Sequence, residues 1–385
     1  MGYLKNMKNN FKLKHYVNYI VVAAALVIFV ILGSAGVLGR SNLGLLHRIA
    51  YSIVLAVSLN LVVGFLGELS LGHAGFMCVG AYIGCYFAIH LVDVIGSPLL
   101  TMILSMLVGG LVAAVFGFII GLPALRLKGD YLAIVTLAFG EIVRNVFKNL
   151  SLFGGAKGMQ TAKISYDQNT LYIISFIVVL VVLFFVQNLI RSKHGRAITA
   201  IRDNEIAARA MGINVTYYKL FVFVFSAFFA GVAGVMYGYQ VSPVTQTAFS
   251  YNYSIEILVM VVLGGMGSIG GSIAAATLIT YVNFVLQNQL SGDLAALKLL
   301  IYAIILILVV VFSNAPALKP LRERFNFKAL LRKITKSHNK PEHVSDDDAE
   351  WNRVETKIKM DELLSVDFQN SKAYTPDKNP KKEDK

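Results

Sequence analysis

Charge is what this 385-residue sequence withholds. Six stretches, residues 16–38, 49–67, 94–125, 171–190, 220–255 and 257–292, contain no Asp, Glu, Lys or Arg. That excludes an ordinary soluble domain, in which apolar runs are interrupted more often. A hydrocarbon core of ~30 Å takes about 20 apolar residues as helix. Several of the stretches reach that length once, and some are long enough for two passes.

Catalytic and cofactor motifs are missing as well. No Gly-x-x-x-x-Gly-Lys-Ser/Thr phosphate loop occurs. Gly154-Gly155-Ala156-Lys157-Gly158 is glycine-rich but lacks the spacing. There is no His-Glu-x-x-His, no serine nucleophile elbow and no cysteine set for haem or iron–sulfur. ATP, if used, is therefore hydrolysed by another chain. Of the two cysteines, Cys78 and Cys85, both fall in one apolar run seven residues apart. They read as packing residues, with no disulfide framework or zinc spacing. The first apolar run follows four lysines but is 23 residues long and has no small-residue cleavage site, so it reads as a true first span.

What is present is a series of candidate spans. The pattern predicts an all-α, polytopic membrane bundle with helices near 16–38, 47–66, 73–92, 99–122, 131–150, 171–190, 218–239, 254–267, 271–289 and 295–313. Segment 131–150 carries Glu141 and Arg144, and 254–289 is broken by glycines; either reads as spanning or re-entrant, giving eight to ten spans. The net charge of +13 is concentrated in short connections. Lys5, Lys8, Lys12, Lys14, Arg126, Lys128, Arg191, Lys193, Arg196, Arg202 and Arg209 fall on one side, with Lys219 at its edge. Arg40, Arg48, Lys148, Lys157, Lys163 and Lys298 fall on the other. That bias places both termini in the cytoplasm. It is the pattern of membrane orientation rather than of nucleic-acid binding. Three parts are expected: a cytoplasmic N-terminus (1–15), a transmembrane domain (16–313), and a hydrophilic cytoplasmic tail (314–385). The tail is too polar to offset its ordering entropy and is expected to be disordered, except for an amphipathic stretch at 351–364.

An internal echo joins Leu61-Val62-Val63-Gly64-Phe65-Leu66-Gly67 to Val261-Val262-Leu263-Gly264-Gly265-Met266-Gly267. Transporters are often built from repeated halves with glycine-interrupted helices near the substrate path, and chance matching is the competing explanation.

Three segments carry candidate function. The first is Glu68-Leu69-Ser70-Leu71-Gly72-His73-Ala74-Gly75-Phe76, either a broken helix at the pathway or a cytoplasmic turn. The second is Glu141 and Arg144, able to neutralise each other at i, i+3, as a gate element or as membrane-edge anchors. Glu256 has the same two readings. The third is the charged connection 191–217. Asp203 can N-cap a short helix there, Gly212 suits the left-handed position after it, and Glu205 and Arg209 form an i, i+4 pair. Ile201, Ala208 and Met211 leave a slim apolar stripe. Such a helix either docks in a groove of a cytoplasmic partner or lies solvated at the lipid headgroups.

Several blocks in one order resemble a known family. They are Leu71-Gly72-His73-Ala74-Gly75-Phe76, the run 122–144 beginning Leu122-Pro123-Ala124-Leu125-Arg126, Gly154-Gly155 with Gly158, the block 195–213, and Val262-Leu263-Gly264-Gly265-Met266-Gly267-Ser268 with Gly270-Gly271. Across 50–313 they resemble the LivM-type permeases of branched-chain amino acid ABC importers, in the bacterial plasma membrane. The resemblance implies that this chain is no enzyme and binds no cofactor itself. ATP and Mg would be used by two cytoplasmic ATPase subunits. A second, related permease chain and an external amino-acid-binding protein would complete the assembly. It also implies ATPase coupling through Arg196, Arg202, Asp203, Glu205, Ala207, Ala208, Arg209 and Gly212. One extra residue, Ile206, stands before the alanines of the family's Glu-Ala-Ala-like core. Pathway or gate candidates are Glu68, Ser70, Gly72, His73, Phe76, Glu141, Arg144, Gly264, Gly265 and Gly267. The tail lies outside the family's pattern. Related permeases for urea, amides or other amino acids, and a stand-alone secondary transporter, are the alternatives.

Overall fold

The computed structural model describes residues 39–127, 129–164 and 166–289, with a few positions between 19 and 30 and Ile304 and Ile307. The expected spans 16–38 and 295–313, the segment 1–15 and the tail 314–385 otherwise lie outside the described residues.

The described residues are helical. Helix α1 (Arg40–Asn60) continues into a π-helical turn, Leu61–Leu66, which stops at Gly67 in the left-handed conformation (φ 83°). Helix α2 (His73–Ile95) ends at Gly96, and α3 (Pro98–Ala124) starts on a proline, whose missing N–H costs nothing at that position. Helix α4 (Asp130–Asn149) has Asp130 in its first turn and Lys148 in its last, matching the helix dipole. Then follow α5 (Gln168–Arg191), two short helices α6 (Lys193–Asp203) and α7 (Glu205–Ala210), and α8 (Val215–Gln240). Helices α9 (Tyr251–Gly264) and α10 (Ile269–Gln289) close the described part.

Eight of the ten expected spans thus coincide with helices, and six of those are long and apolar enough to cross a bilayer. The two that fall short have physical reasons. Helix α4 carries Asp130, Glu141, Arg144 and Lys148 within 20 residues. Helix α9 has 14 residues, or about 21 Å of rise, against a core of ~30 Å.

Helix α8 packs against α3, α2 and α1; α1 packs in turn on α10, α5 and α9, and α4 leans on α2. Glycine sets the approach in the first group. A Cβ at Gly80 of α2 would lie 2.2 Å from the Gly231 carbonyl oxygen of α8. One at Gly234 would lie 2.0 Å from the Met77 carbonyl, and one at Gly231 2.7 Å from that of Gly109 in α3. With no side chain between them, the backbones gain van der Waals contact that lipid cannot supply. Cys85 fits this seam: its sulfur fills the space beside Gly238, and both cysteines are buried and free.

At the end of the bundle away from α6 and α7, the connection 150–167 forms short 3-10 turns and one antiparallel bridge, Met159 to Val244. Residues 241–250 dip inward. The Tyr82 hydroxyl donates to the Val244 carbonyl at 3.2 Å, and Phe249 packs between Tyr82 and Tyr237.

Candidate coupling face and translocation path

The charged connection folds as two helices set end to end. Ser192 caps α6, its hydroxyl accepting from the His194 and Gly195 N–H groups. Asn204 caps α7, accepting from the Ala207 N–H at 3.0 Å. The capping residue is therefore Asn204 and not Asp203, which ends α6 and pairs with Arg202 at 2.9 Å. Gly212 is left-handed (φ 81°) and Arg209 reaches Glu205 at 2.9 Å, both as expected. The expected apolar stripe splits in two. Ile201 and Ala208 are buried against the bundle, while Met211 (82% exposed) and Ile206 (81%) point away from it. Ile206, the extra residue of the motif, is thereby an outward apolar knob. Arg196 and Ala207 are also exposed.

Two links run from these helices into the bundle. The Arg202 guanidinium donates to the Gly64 carbonyl at 3.1 Å, and its stem crosses Gly67, where a Cβ would meet it at 2.8 Å. The second link is Lys219, in the second turn of α8 and 5% exposed. Its ammonium pairs with Glu68 and, at 3.1 Å, with Glu205, which also holds Arg209. One lysine thus ties α7, α8 and the α1–α2 connection. Sequence reading counted it only as an edge charge; the available signal was a lone lysine inside an aromatic, apolar helix face.

The α1–α2 connection is built into the bundle. Ser70 and His73 are each 2% exposed. His73 Nε2 and Ser58 Oγ share a hydrogen bond of 2.8 Å. The Leu71 N–H donates to Thr136 of α4 and the Ala74 N–H to Ser254 of α9. Gly72 lies on the backbone of Thr136 and leaves no room for a Cβ. Phe76 is buried in the core against Phe139 and Phe223.

The two echoing segments meet. Gly67 and Gly267, at matching positions, are both left-handed, at φ 83° and 79°. Gly64 lies so close to Gly267 that a Cβ would sit 2.2 Å from its nitrogen. Asn60, fully buried, clamps the pair: its Oδ1 accepts from the Gly267 N–H at 2.9 Å, and its Nδ2 donates to the Ser268 carbonyl and Ser272 Oγ. Gly264, Gly265 and Gly267 form the tight turn between α9 and α10. Asn60 escaped sequence reading because it is one polar residue in a long apolar run.

Glu141 and Arg144 form a two-pronged ion pair, at 2.9 and 2.6 Å, with each side chain about one quarter exposed. They lie midway along α4 rather than at its end. The other Glu141 oxygen accepts from the N–H of Tyr251, the first residue of α9, at 3.1 Å. A carboxylate suits a helix N-terminus. It fixes where α9 begins, at the middle of α4. Asn145 and Asn149 continue this face outward beside a hollow of about 550 Å³ that Glu141, Ile142 and Val146 also line. Glu256 is hydrogen-bonded to Asn283. Among the described residues no three His, Cys, Asp or Glu side chains gather as metal ligands.

Residues 41–310 match the family described as branched-chain amino acid transport system / permease component. The chain belongs to this family. The permease is 35% identical to the high-affinity branched-chain amino acid transport system permease protein LivM of Salmonella typhimurium, over 72% of this chain and 70% of that protein. It is 28% identical to a probable LivM of Methanocaldococcus jannaschii, over 56% and 72%. The ribose import permease protein RbsC of Haemophilus influenzae matches at 32% over a shorter part, 31% of the permease and 38% of that protein. Among solved structures, PsaBC from Streptococcus pneumoniae in complex with Fab covers 74% of the permease at 14% identity and a TM-score of 0.39, too low to establish a shared fold. The relatives are transport permeases, not enzymes, and the permease is a multi-pass membrane protein like them.

Proposed function

We propose that this permease is the membrane-spanning subunit of an ATP-driven importer of leucine, isoleucine and valine in a bacterial plasma membrane, working by alternating access. In this reading the α6–α7 end faces the cytoplasm and docks one of two ATPase subunits, which bind the ATP and Mg. A second, related permease completes the path, and an external binding protein delivers the amino acid. The observation that carries the reading is the build of α6 and α7. They present Ile206 and Met211 outward and are tied inward by Arg202 to the Gly64 carbonyl and by Lys219 to Glu68, in the segment that Asn60 clamps to the α9–α10 turn. Motion of a docked partner would thus reach α1, α8 and the α9–α10 turn together. The polar face of α4, with Glu141, Asn145 and Asn149, suits a water-lined path or a partner more than lipid.

A secondary transporter expects an unpaired intramembrane carboxylate as its ion site. Glu68, Glu141 and Glu256 each have a partner: Lys219, Arg144 and Asn283 respectively. That favours the ATP-driven reading. The test is uptake of radiolabelled leucine into proteoliposomes holding the permease with its partner permease, ATPases and binding protein. Uptake should require ATP, be competed by isoleucine and valine but not urea or amides, and fall in Glu205→Ala. Uptake by the permease alone on an ion gradient would overturn the proposal.

A further inference from the structure

The beginning of the run 122–144, Leu122-Pro123-Ala124-Leu125-Arg126, has no part in the coupling links described above. Its Arg126 lies just beyond the end of α3 and is exposed, with no ion-pair partner among the described residues. It lines a cavity of about 310 Å³ between the end of α3, α7 and the start of α8. Arg209 and Thr216 line the same cavity, and Glu205 and Lys219 also border it. Three cations thus meet two carboxylates, Glu205 in the cavity wall and Glu68 behind Lys219. Lys219 is already joined to Glu68 and Glu205, and Arg209 reaches Glu205 through its Nη2, while Arg126 has no such pair among the described residues. The cavity therefore presents spare guanidinium N–H groups and a hydroxyl to an anion.

An apolar track leads to it. Leu111, Val115, Ile119 and Leu122 form an exposed stripe along the second half of α3, and Leu122 is itself part of the cavity wall. Residues three and four apart share one helix face. A stripe of this kind takes acyl chains, and the basic hollow at its end stands where the headgroup of the same lipid would be. Basic pockets between membrane helices bind phosphorylated lipid headgroups, and a guanidinium can hold two phosphate oxygens at once.

We propose that this cavity binds the phosphate of an anionic phospholipid, with Arg126 as its main contact. The proposal needs the chain to be membrane-embedded but not the importer reading or either orientation, and its test measures no transport. The permease, co-purified with its ATPases, is placed in bilayers of phosphatidylcholine with a minor fraction of labelled phosphatidylglycerol. Retained lipid is then counted by native mass spectrometry. Wild type should retain phosphatidylglycerol over phosphatidylcholine. Arg126→Gln should bind it about fivefold more weakly, Arg126→Lys should recover most of the difference, and the ATPases should stay attached in all three. Thr216→Val, a second exposed position, should give a smaller loss should the Gln variant fail to fold. Equal retention of both lipids by wild type would overturn the proposal, as would an Arg126→Gln variant that binds like wild type. Displacement of the lipid by inorganic phosphate would make the ligand a free anion instead. Loss of the ATPases rather than of lipid in Arg126→Gln would make the cavity a protein contact.

Discussion

Lys219→Met should separate the coupling helices from the bundle. The substitution keeps most of the stem and removes the ammonium that faces Glu68 and Glu205. Glu68, 14% exposed, is left without its cation. Removing one partner of a buried pair costs roughly 3–5 kcal/mol. Glu205 keeps Arg209 and is 25% exposed, so its own loss is small. The pair is not wholly dry, so the lower end applies: about 3 kcal/mol, or roughly a hundredfold in the equilibrium that holds α7 against the α1–α2 connection. In reconstituted complexes the thermal midpoint should fall, and ATP hydrolysed per leucine imported should rise. The double variant Glu68→Gln with Lys219→Met replaces the ion pair by a neutral one. Its stability should return most of the way, because the isolated carboxylate is gone, while tight coupling should not. The reasoning fails should Lys219→Met melt with wild type, or should the Glu68 and Lys219 losses simply add in the double variant.

Ile206→Glu should leave the permease folded, since the side chain is largely exposed, yet weaken ATPase retention about 30-fold in a pull-down titration, the scale of a central contact residue. Gly234→Ala should destabilise by roughly 1–3 kcal/mol in thermal unfolding, because the new Cβ meets the Met77 carbonyl; an unchanged midpoint would show that the helices part freely. Asn60→Leu should cost about as much, roughly 1–3 kcal/mol, by leaving the Gly267 N–H unpaired, and hydrogen exchange should rise at Gly267 before anywhere else in α10. Glu141→Gln keeps an acceptor for the Tyr251 N–H but frees Arg144; uptake should drop, and adding Arg144→Met should restore part of it.

The sequence made some of this legible, and what it hid has a common cause. Apolar length alone located the helices, because a span needs no distant partner to be recognised. The Glu205–Arg209 pair and the Gly212 turn were visible for the same reason: each is decided within one helical turn. The capping residue of α7 was missed by one position because Asp203 and Asn204 are both able caps. Only the extended backbone of Asn204 (φ −158°, ψ 105°) selects it. The Lys219 links, the Asn60 clamp and the depth at which α9 begins depend on residues far apart in the chain. Such pairings leave no period to read. The echo between 61–67 and 261–267 was visible, but its meaning, two turns in contact, required the fold.

The glycine seam among α2, α3 and α8 has a consequence for how the protein works. Where backbones touch, sliding and rolling are resisted, since a displacement along or toward the neighbour drives a carbonyl into it. Those three helices therefore behave as a single stiff strut. In the proposed transport cycle, opening and shutting would then fall mainly to elements outside this seam. The helices that touch most closely would then be those that change least between the two faces of the membrane.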